Sequence, residues 1–287
     1  MTTPIRRLLR YRPPLHWDDL LRFFSTHATA GVEVVEGDSY SRTVALGDAV
    51  GWVTVAPGKD ALRATLSPSL APVARAVVER LRITFDLDAD PAAIAAHLSA
   101  DPRLAPLVAA RPGLRVPGAF DGFEVLVRTI LGQQVSVAGA TTLAGRLAMA
   151  FGEPVETPIP GLSRAFPTPA RLATATVDEL AALGIISARG EAIRLVAAEA
   201  GNLVLGPTDD PEEAMRRLVA LRGIGEWTAH SVAMRAMGWR DAFLHGDLAI
   251  RRLLGGKPRE LLERAEAWRP WRGYATMHLW RSLSPYE

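Results

Sequence analysis

The hydrophobic period of this chain changes once, near residue 87, and that change limits the folds open to it. Before it, Val32 to Val35, Ser41 to Leu46, Trp52 to Val55 and Leu62 to Leu66 alternate between turn signals at Glu36-Gly37-Asp38, Gly47-Asp48 and Pro57-Gly58. Period two bounded by turn residues is the pattern of half-buried antiparallel strands. Leu15 to His27 and Pro72 to Phe85 repeat apolar residues at helical spacing, with Val73, Val77 and Leu81 on one face of the second. The pattern predicts an antiparallel meander crossed by a helix, an α+β domain covering 1–87.

Beyond residue 87 only helical spacing remains. Asp90-Pro91, an N-cap followed by proline at the first helical position, opens a helix to Leu98. Further helices are expected over 122–133, 136–151, 169–173, 176–183, 188–200, 211–221, 227–237, 248–254, 258–268 and 271–283. Arg111-Pro112-Gly113 and Val116-Pro117-Gly118 mark a loop, and four prolines between Glu153 and Pro167 mark another. A length of 287 residues with 48% apolar composition allows more than one core.

The chain has no cysteine, which removes disulfides, thiolate zinc and iron–sulfur clusters together. Its six histidines form no HxxxH or HxH pair, so neither a metal nor a cofactor is expected and the chemistry falls to organic side chains. The formal charge is only +2, and lysine occurs just twice, at Lys59 and Lys257. From Arg235 onward ten Lys and Arg face six Asp and Glu, a mildly basic segment suited to a phosphate backbone. No apolar run approaches the ~18 residues of a membrane span, and the N-terminus lacks a signal-peptide pattern. A soluble intracellular protein is expected.

Two segments carry candidate chemistry. In Leu221-Arg222-Gly223-Ile224-Gly225-Glu226-Trp227-Thr228-Ala229 two glycines separate two helices. Glycine permits positive φ, and without a Cβ it lets a phosphate reach the unpaired amides of the next helix. Ile224 would plug the hairpin into the core. On the glycines alone an ordinary helix–helix turn is the better reading, since Gly-x-Gly is common between helices. Asp247 follows Gly225 by 22 positions and directly precedes Leu248-Ala249-Ile250. By position it is a helix N-cap, a role compatible with catalysis because amide donors favour the charged form of a carboxylate.

The hairpin and the spaced aspartate resemble the helix-hairpin-helix superfamily of DNA glycosylases. Tyr11-Arg12-Pro13-Pro14 with Trp17, Arg111 to Gly118, Ile130-Leu131-Gly132-Gln133-Gln134-Val135-Ser136-Val137, and Trp268-Arg269-Pro270-Trp271-Arg272 through Trp280 extend the likeness to the DNA-3-methyladenine glycosylase II family. The resemblance implies an N-terminal sheet domain like half of the TATA-binding protein, then two all-α lobes, 118–239 and the discontinuous 88–117 with 240–287. It also implies hydrolytic removal of alkylated purines, 3-methyladenine and 7-methylguanine, from double-stranded DNA in base-excision repair. The expected agent is a cytoplasmic, nucleoid-associated bacterial monomer.

By the same resemblance Asp247 is the catalytic carboxylate. Trp227, Trp280, Phe23, Ser231 and Leu248 line the base pocket. Gly223, Gly225, Thr228, Gln134, Arg251 and Arg252 contact DNA, with Gln134 at the wedge that fills the flipped base's place and Arg272 as a further backbone contact. Ser231 and Leu248 stand where a known bacterial member has tyrosines, and Gln134 where it has leucine. Trp227 occupies the position of the lysine that forms a Schiff base in bifunctional members, so base removal without strand cleavage is expected. Two other readings stay open: a bifunctional glycosylase for oxidised bases, and a non-catalytic module that uses the hairpin to bind DNA.

Overall fold

A computed structural model describes residues 3–208 and 210–283. Strands β1 (Ile5–Leu9), β2 (Glu33–Glu36), β3 (Ser39–Leu46), β4 (Ala49–Pro57) and β5 (Leu62–Leu66) form one antiparallel sheet in the order β1-β5-β4-β3-β2. Strands β2 to β5 are the expected meander. The fifth strand, β1, is an addition: it pairs with β5 from Ile5 opposite Leu66 to Leu9 opposite Leu62. Helices α1 (Trp17–His27) and α2 (Ala74–Thr84) belong to the same domain. Leu20, Leu21 and Phe24 of α1 and Val77 and Leu81 of α2 share a core with Tyr40, Val53, Val55 and Leu66 of the sheet.

The rest is helical. The elements are α3 (Pro91–Leu98), α4 (Ala105–Ala110), α5 (Gly122–Leu131), α6 (Val137–Phe151), α7 (Pro169–Ala173), α8 (Val177–Ala182) and α9 (Ser187–Ala198), then α10 (Pro211–Val219), α11 (Glu226–Arg235), α12 (Leu248–Leu254), α13 (Pro258–Ala265) and α14 (Arg272–Ser282). Side chains fix several starts. Asp90 caps α3 through Ala93 N at 3.1 Å, Asp121 caps α5 through Glu124 N at 3.0 Å, and Ser136 caps α6 through Gly139 N at 3.1 Å. Each cap is worth ~1 kcal/mol. Helix α13 stops at Ala265, short of the expected Trp268, and a 3-10 turn follows.

Two further cores divide the helices. One gathers α5 and α6 with Ile193, Leu218, Ile224 and Val232. The other joins Ile94, Leu98 and Val108 to Phe243, Ile250, Leu261, Trp268 and Tyr274, bringing together the piece that follows the sheet domain and the C-terminal helices.

Buried charges fasten the sheet domain to the helices. Arg42 of β3 reaches Glu124 of α5 at 2.6 Å, and Arg128 of α5 reaches Glu33 of β2 at 2.8 Å and Glu124 at 2.9 Å. Burial opposes the Glu33 charge, but Arg128, Arg42 and the Tyr40 hydroxyl more than reverse it and lower its pKa to about 2. At the other end, Asp19 of α1 holds Arg281 of α14 at 2.8 Å. These ties carry α1 and its Phe23 to the wall of a cleft between the helical cores. No helix among the described residues is long and apolar enough to cross a membrane.

Candidate active site

The hairpin between α10 and α11 comes first, because it sets where α11 begins. Ile224 is 4% exposed and packs in the same core as Ile193 and Val232, so the loop is pinned from beneath. The two glycines serve different ends. Gly223 has φ of +89°, in the left-handed region that favours glycine, and a Cβ there would lie 2.8 Å from Ala192 Cβ. Gly225 has φ of −89° and ψ of 170°, extended backbone open to any residue, and a Cβ there would meet nothing within 4 Å. Gly223 is therefore required by the fold, whereas Gly225 keeps open the space before the first amides of α11.

Helix α11 carries Trp227, Ser231 and Arg235 along one face, at i, i+4 and i+8. All three line a cavity of about 400 Å³. Asp247, at the head of α12, faces the same space, and α14 adds Met277 and Trp280. Phe23 and His27 come from α1, and Arg128 from α5.

The Asp247 carboxylate is held by four donors. Its Oδ1 accepts Ala249 N at 3.0 Å, Ile250 N at 3.1 Å and Trp280 Nε1 at 3.1 Å. Its Oδ2 accepts Trp227 Nε1 at 3.0 Å. The helix cap and both expected pocket tryptophans thus converge on one side chain. The indoles have a double use, since their N–H edges fix the carboxylate while their rings line the cavity.

Another part of the lining is cationic and aromatic. Phe23 stacks on His27 with ring centroids 4.0 Å apart, and the Arg235 guanidinium sits 5.1 Å over the Phe23 ring. Burial, aided by the neighbouring Arg235 charge, lowers the His27 pKa to about 4, so this imidazole is neutral at neutral pH. Burial and then the Arg128 charge lower Arg235 to about 10. Burial works against the Arg128 charge as well, but Glu33 and Glu124 outweigh it and hold its pKa above the ordinary arginine value. Among the described residues no group of three or more His, Asp or Glu could hold a metal.

Phe23, Trp227, Ser231, Trp280 and Asp247 therefore share one cavity. Leu248 does not: it is 58% exposed, and Ala249 lines the wall instead. The Asp247 cap turns the first residue of α12 outward, which corrects the sequence expectation. Thr228 also departs from expectation. Its side chain is 2% exposed and accepts a hydrogen bond from Gln133 Nε2 at 3.1 Å, so the hydroxyl faces the protein. Arg251 and Arg252 are exposed and make no ion pair among the described residues. Arg272 is a different case, 5% exposed and gripping Asp241 through Nε and Nη2 at 2.8 Å each. It braces the start of α14 rather than facing solvent. Gln134 is exposed, in the left-handed region at φ of +56°, between the cavity-lining Gly132 and Val135.

Sequence reasoning missed His27, Arg128 and Arg235. One signal was available for Arg128: Glu124 and Arg128 stand at i, i+4 in an otherwise apolar helix, as a buried ion pair requires.

Residues 6–121 match the AlkA N-terminal domain, and residues 127–256 match the HhH-GPD superfamily base excision DNA repair protein model. The chain is 40% identical over 277 residues to DNA-3-methyladenine glycosylase 2 of Escherichia coli strain K12, covering 95% of each. It is 38% identical to a Mycobacterium tuberculosis protein described as a probable bifunctional transcriptional activator/DNA repair enzyme, covering 96% of this chain but 56% of that one. Among solved structures, the 3-methyladenine DNA glycosylase of Archaeoglobus fulgidus shares the fold with a TM-score of 0.78 at 23% identity, covering 96% of both chains. A Schizosaccharomyces pombe 3-methyladenine DNA glycosylase bound to abasic DNA matches 68% of this chain and 98% of its own, with a TM-score of 0.53 at 23% identity. The chain belongs to the DNA-3-methyladenine glycosylase 2 family of the HhH-GPD superfamily of base excision DNA repair proteins.

Proposed function

We propose that this protein flips alkylated purines out of double-stranded DNA and hydrolyses their N-glycosidic bond, leaving the strand intact. The observation that carries the reading is Asp247, fixed by two backbone amides and two indole N–H groups at the wall of a cavity lined by Phe23, Trp227 and Trp280.

Cleavage sends the bonding electron pair to the base and leaves positive charge on the deoxyribose. A fixed carboxylate stabilises that charge as it develops and orients water for addition to the sugar. A purine alkylated at N3 or N7 already carries a positive charge, so the electron pair neutralises it and no general acid is needed. Aromatic faces hold such a cation by stacking and cation–π attraction, worth ~1 kcal/mol each or more when desolvated. Asp247 supplies the opposite charge beside Trp227 and Trp280. His27 is neutral, and the positive charge on that part of the lining comes from Arg235 and from Arg128, the latter paired with Glu33 and Glu124.

Strand cleavage would require an amine nucleophile. Only two side chains carry one, Lys59 and Lys257, and neither lines the cavity. This favours the monofunctional reaction over a lyase. The hairpin at Gly223 and Gly225 would grip a phosphate, Gln134 would fill the space the base leaves, and Arg251 and Arg252 would add salt-sensitive backbone contacts. We further propose that the protein works as a monomer in three lobes, 1–87, 118–239, and 88–117 with 240–287, a division supported by its three cores. The proposed setting is the bacterial nucleoid.

The test is release of free 3-methyladenine and 7-methylguanine from methylated duplex DNA, with borohydride added in a parallel reaction. Base release without a trapped protein–DNA adduct is expected. Absence of release, or a covalent adduct, would overturn the proposal.

A further inference from the structure

Gln133 joins two parts of the molecule that the proposed function uses separately. Its side-chain amide donates to Gly223 O at 3.0 Å and to Thr228 Oγ1 at 3.1 Å, so it grips the hairpin on both sides of Ile224 and Gly225. Its own carbonyl accepts from Arg189, a side chain of α9 that is itself buried. The next residue is Gln134, exposed and held at φ of +56°. The backbone around this tip is fixed on both sides: Gly132 N and Gln133 N close the last turn of α5 on Arg128 O and Ile130 O, and Ser136 caps α6. A non-glycine residue in the left-handed region persists only where its surroundings determine it. Here the Gln133 amide and the Arg189 guanidinium do so.

We propose that Gln133 is a positioning residue that locks the Gln134 tip to the hairpin, so that gripping the backbone and entering the stack are one rigid-body event. This rests on the assignment of the hairpin as phosphate grip and Gln134 as wedge. The physical logic is pre-organisation. Flipping costs a few kcal/mol of unpairing and unstacking, and a tip free to move relative to the grip would lose part of the binding energy meant to offset that cost. Two hydrogen bonds from a single amide, across 90 and 95 positions of sequence, remove that freedom.

The experiment is a double-mutant cycle between Gln133→Leu and Gln134→Ala in the full chain. It is read by single-turnover base release and by the fluorescence of 2-aminopurine placed beside an abasic analogue. Gln133→Leu should slow release from a paired lesion about tenfold while changing affinity for undamaged duplex less than twofold. In the Gln134→Ala background the same substitution should have less than a twofold effect. Opposite an abasic site, where no base pair has to be broken, the defect should shrink to less than twofold. Gln133→Glu, which keeps the length but loses the donors, should behave like Gln133→Leu. Additive effects of the two substitutions, an equal defect on paired and unpaired lesions, or a wild-type rate for Gln133→Glu would each overturn the proposal. The 2-aminopurine signal reports unstacking without chemistry. It therefore tests the lock even if the wild type releases no base, an outcome that would overturn the glycosylase reading instead.

Discussion

Two buried histidines should make this protein acid-sensitive in a defined window. Burial, with Arg235 nearby, lowers His27 from 6.5 to about 4, and burial, with Arg111 nearby, lowers His278 to about 4. Above pH 6.5 both are neutral whether the chain is folded or not, and their full contribution is present. As pH falls from 6.5 toward 4 the unfolded chain takes up protons that the folded chain does not, so stability is lost; below about 4 the loss levels off. Each proton contributes a slope of at most ~1.4 kcal/mol per pH unit, so the pair should remove about 4 kcal/mol between pH 6.5 and 4.5. That is comparable with the whole stability of many domains, ~5–15 kcal/mol. Burial lowers His230 too, which adds to the loss. Glu33, lowered to about 2, contributes only below its ordinary 4.5, and buried Asp86, whose pKa burial raises, acts in the opposite sense at the acid end. Urea unfolding at four pH values between 7.5 and 4.5 reads the slope, and His27→Gln and His278→Gln should each remove about one proton from it. An unfolding free energy that changes by less than ~1 kcal/mol across this range would refute the reasoning.

Two pairs of substitutions separate folding from DNA contact. Gly223→Ala, at φ of +89° with Ala192 against it, should cost ~1–3 kcal/mol of stability. Gly225→Ala, whose Cβ meets nothing, should leave urea unfolding unchanged and weaken DNA binding severalfold; equal destabilisation by both would contradict the assignment. Arg272→Ala removes two of the three guanidinium bonds to the buried Asp241 carboxylate, leaving Arg269 at 2.7 Å, and should cost ~1–3 kcal/mol. Arg251→Ala and Arg252→Ala should barely change stability, while each lowers the salt dependence of duplex binding, plotted as log affinity against log salt, by about 0.9.

The sequence was most readable where one residue's local role and its distant role coincide. Asp247 could be placed because a helix cap announces itself in the next three residues, and the hairpin because its glycines sit between helical patterns. Strand β1 was not legible. It is an edge strand whose Arg6, Arg7 and Leu8 are all exposed, so it shows no alternation. Helix α4 escaped for a similar reason, since its six residues bury only Val108 and begin without a side-chain cap. Leu248 and Arg272 were misplaced because facing is set by tertiary turns: the Asp247 cap rotates Leu248 outward, and Asp241 draws Arg272 inward. The wall formed by His27, Arg128 and Arg235 depends on partners as distant as Glu33 and Phe23, and no local pattern encodes such meetings.

In the proposed reaction the carboxylate of Asp247 drives base loss. Asp247→Asn keeps an oxygen for the Ala249 and Ile250 amides and the Trp280 N–H but sets an NH2 group against the Trp227 N–H and removes the charge. Single-turnover release of 7-methylguanine by wild type and Asp247→Asn, with unfolding measured on both, tests this most directly. The expected rate is at least ~10²-fold lower, the scale of removing a fixed group that stabilises transition-state charge, with a stability loss within ~2 kcal/mol. Release by Asp247→Asn within threefold of wild type would contradict it.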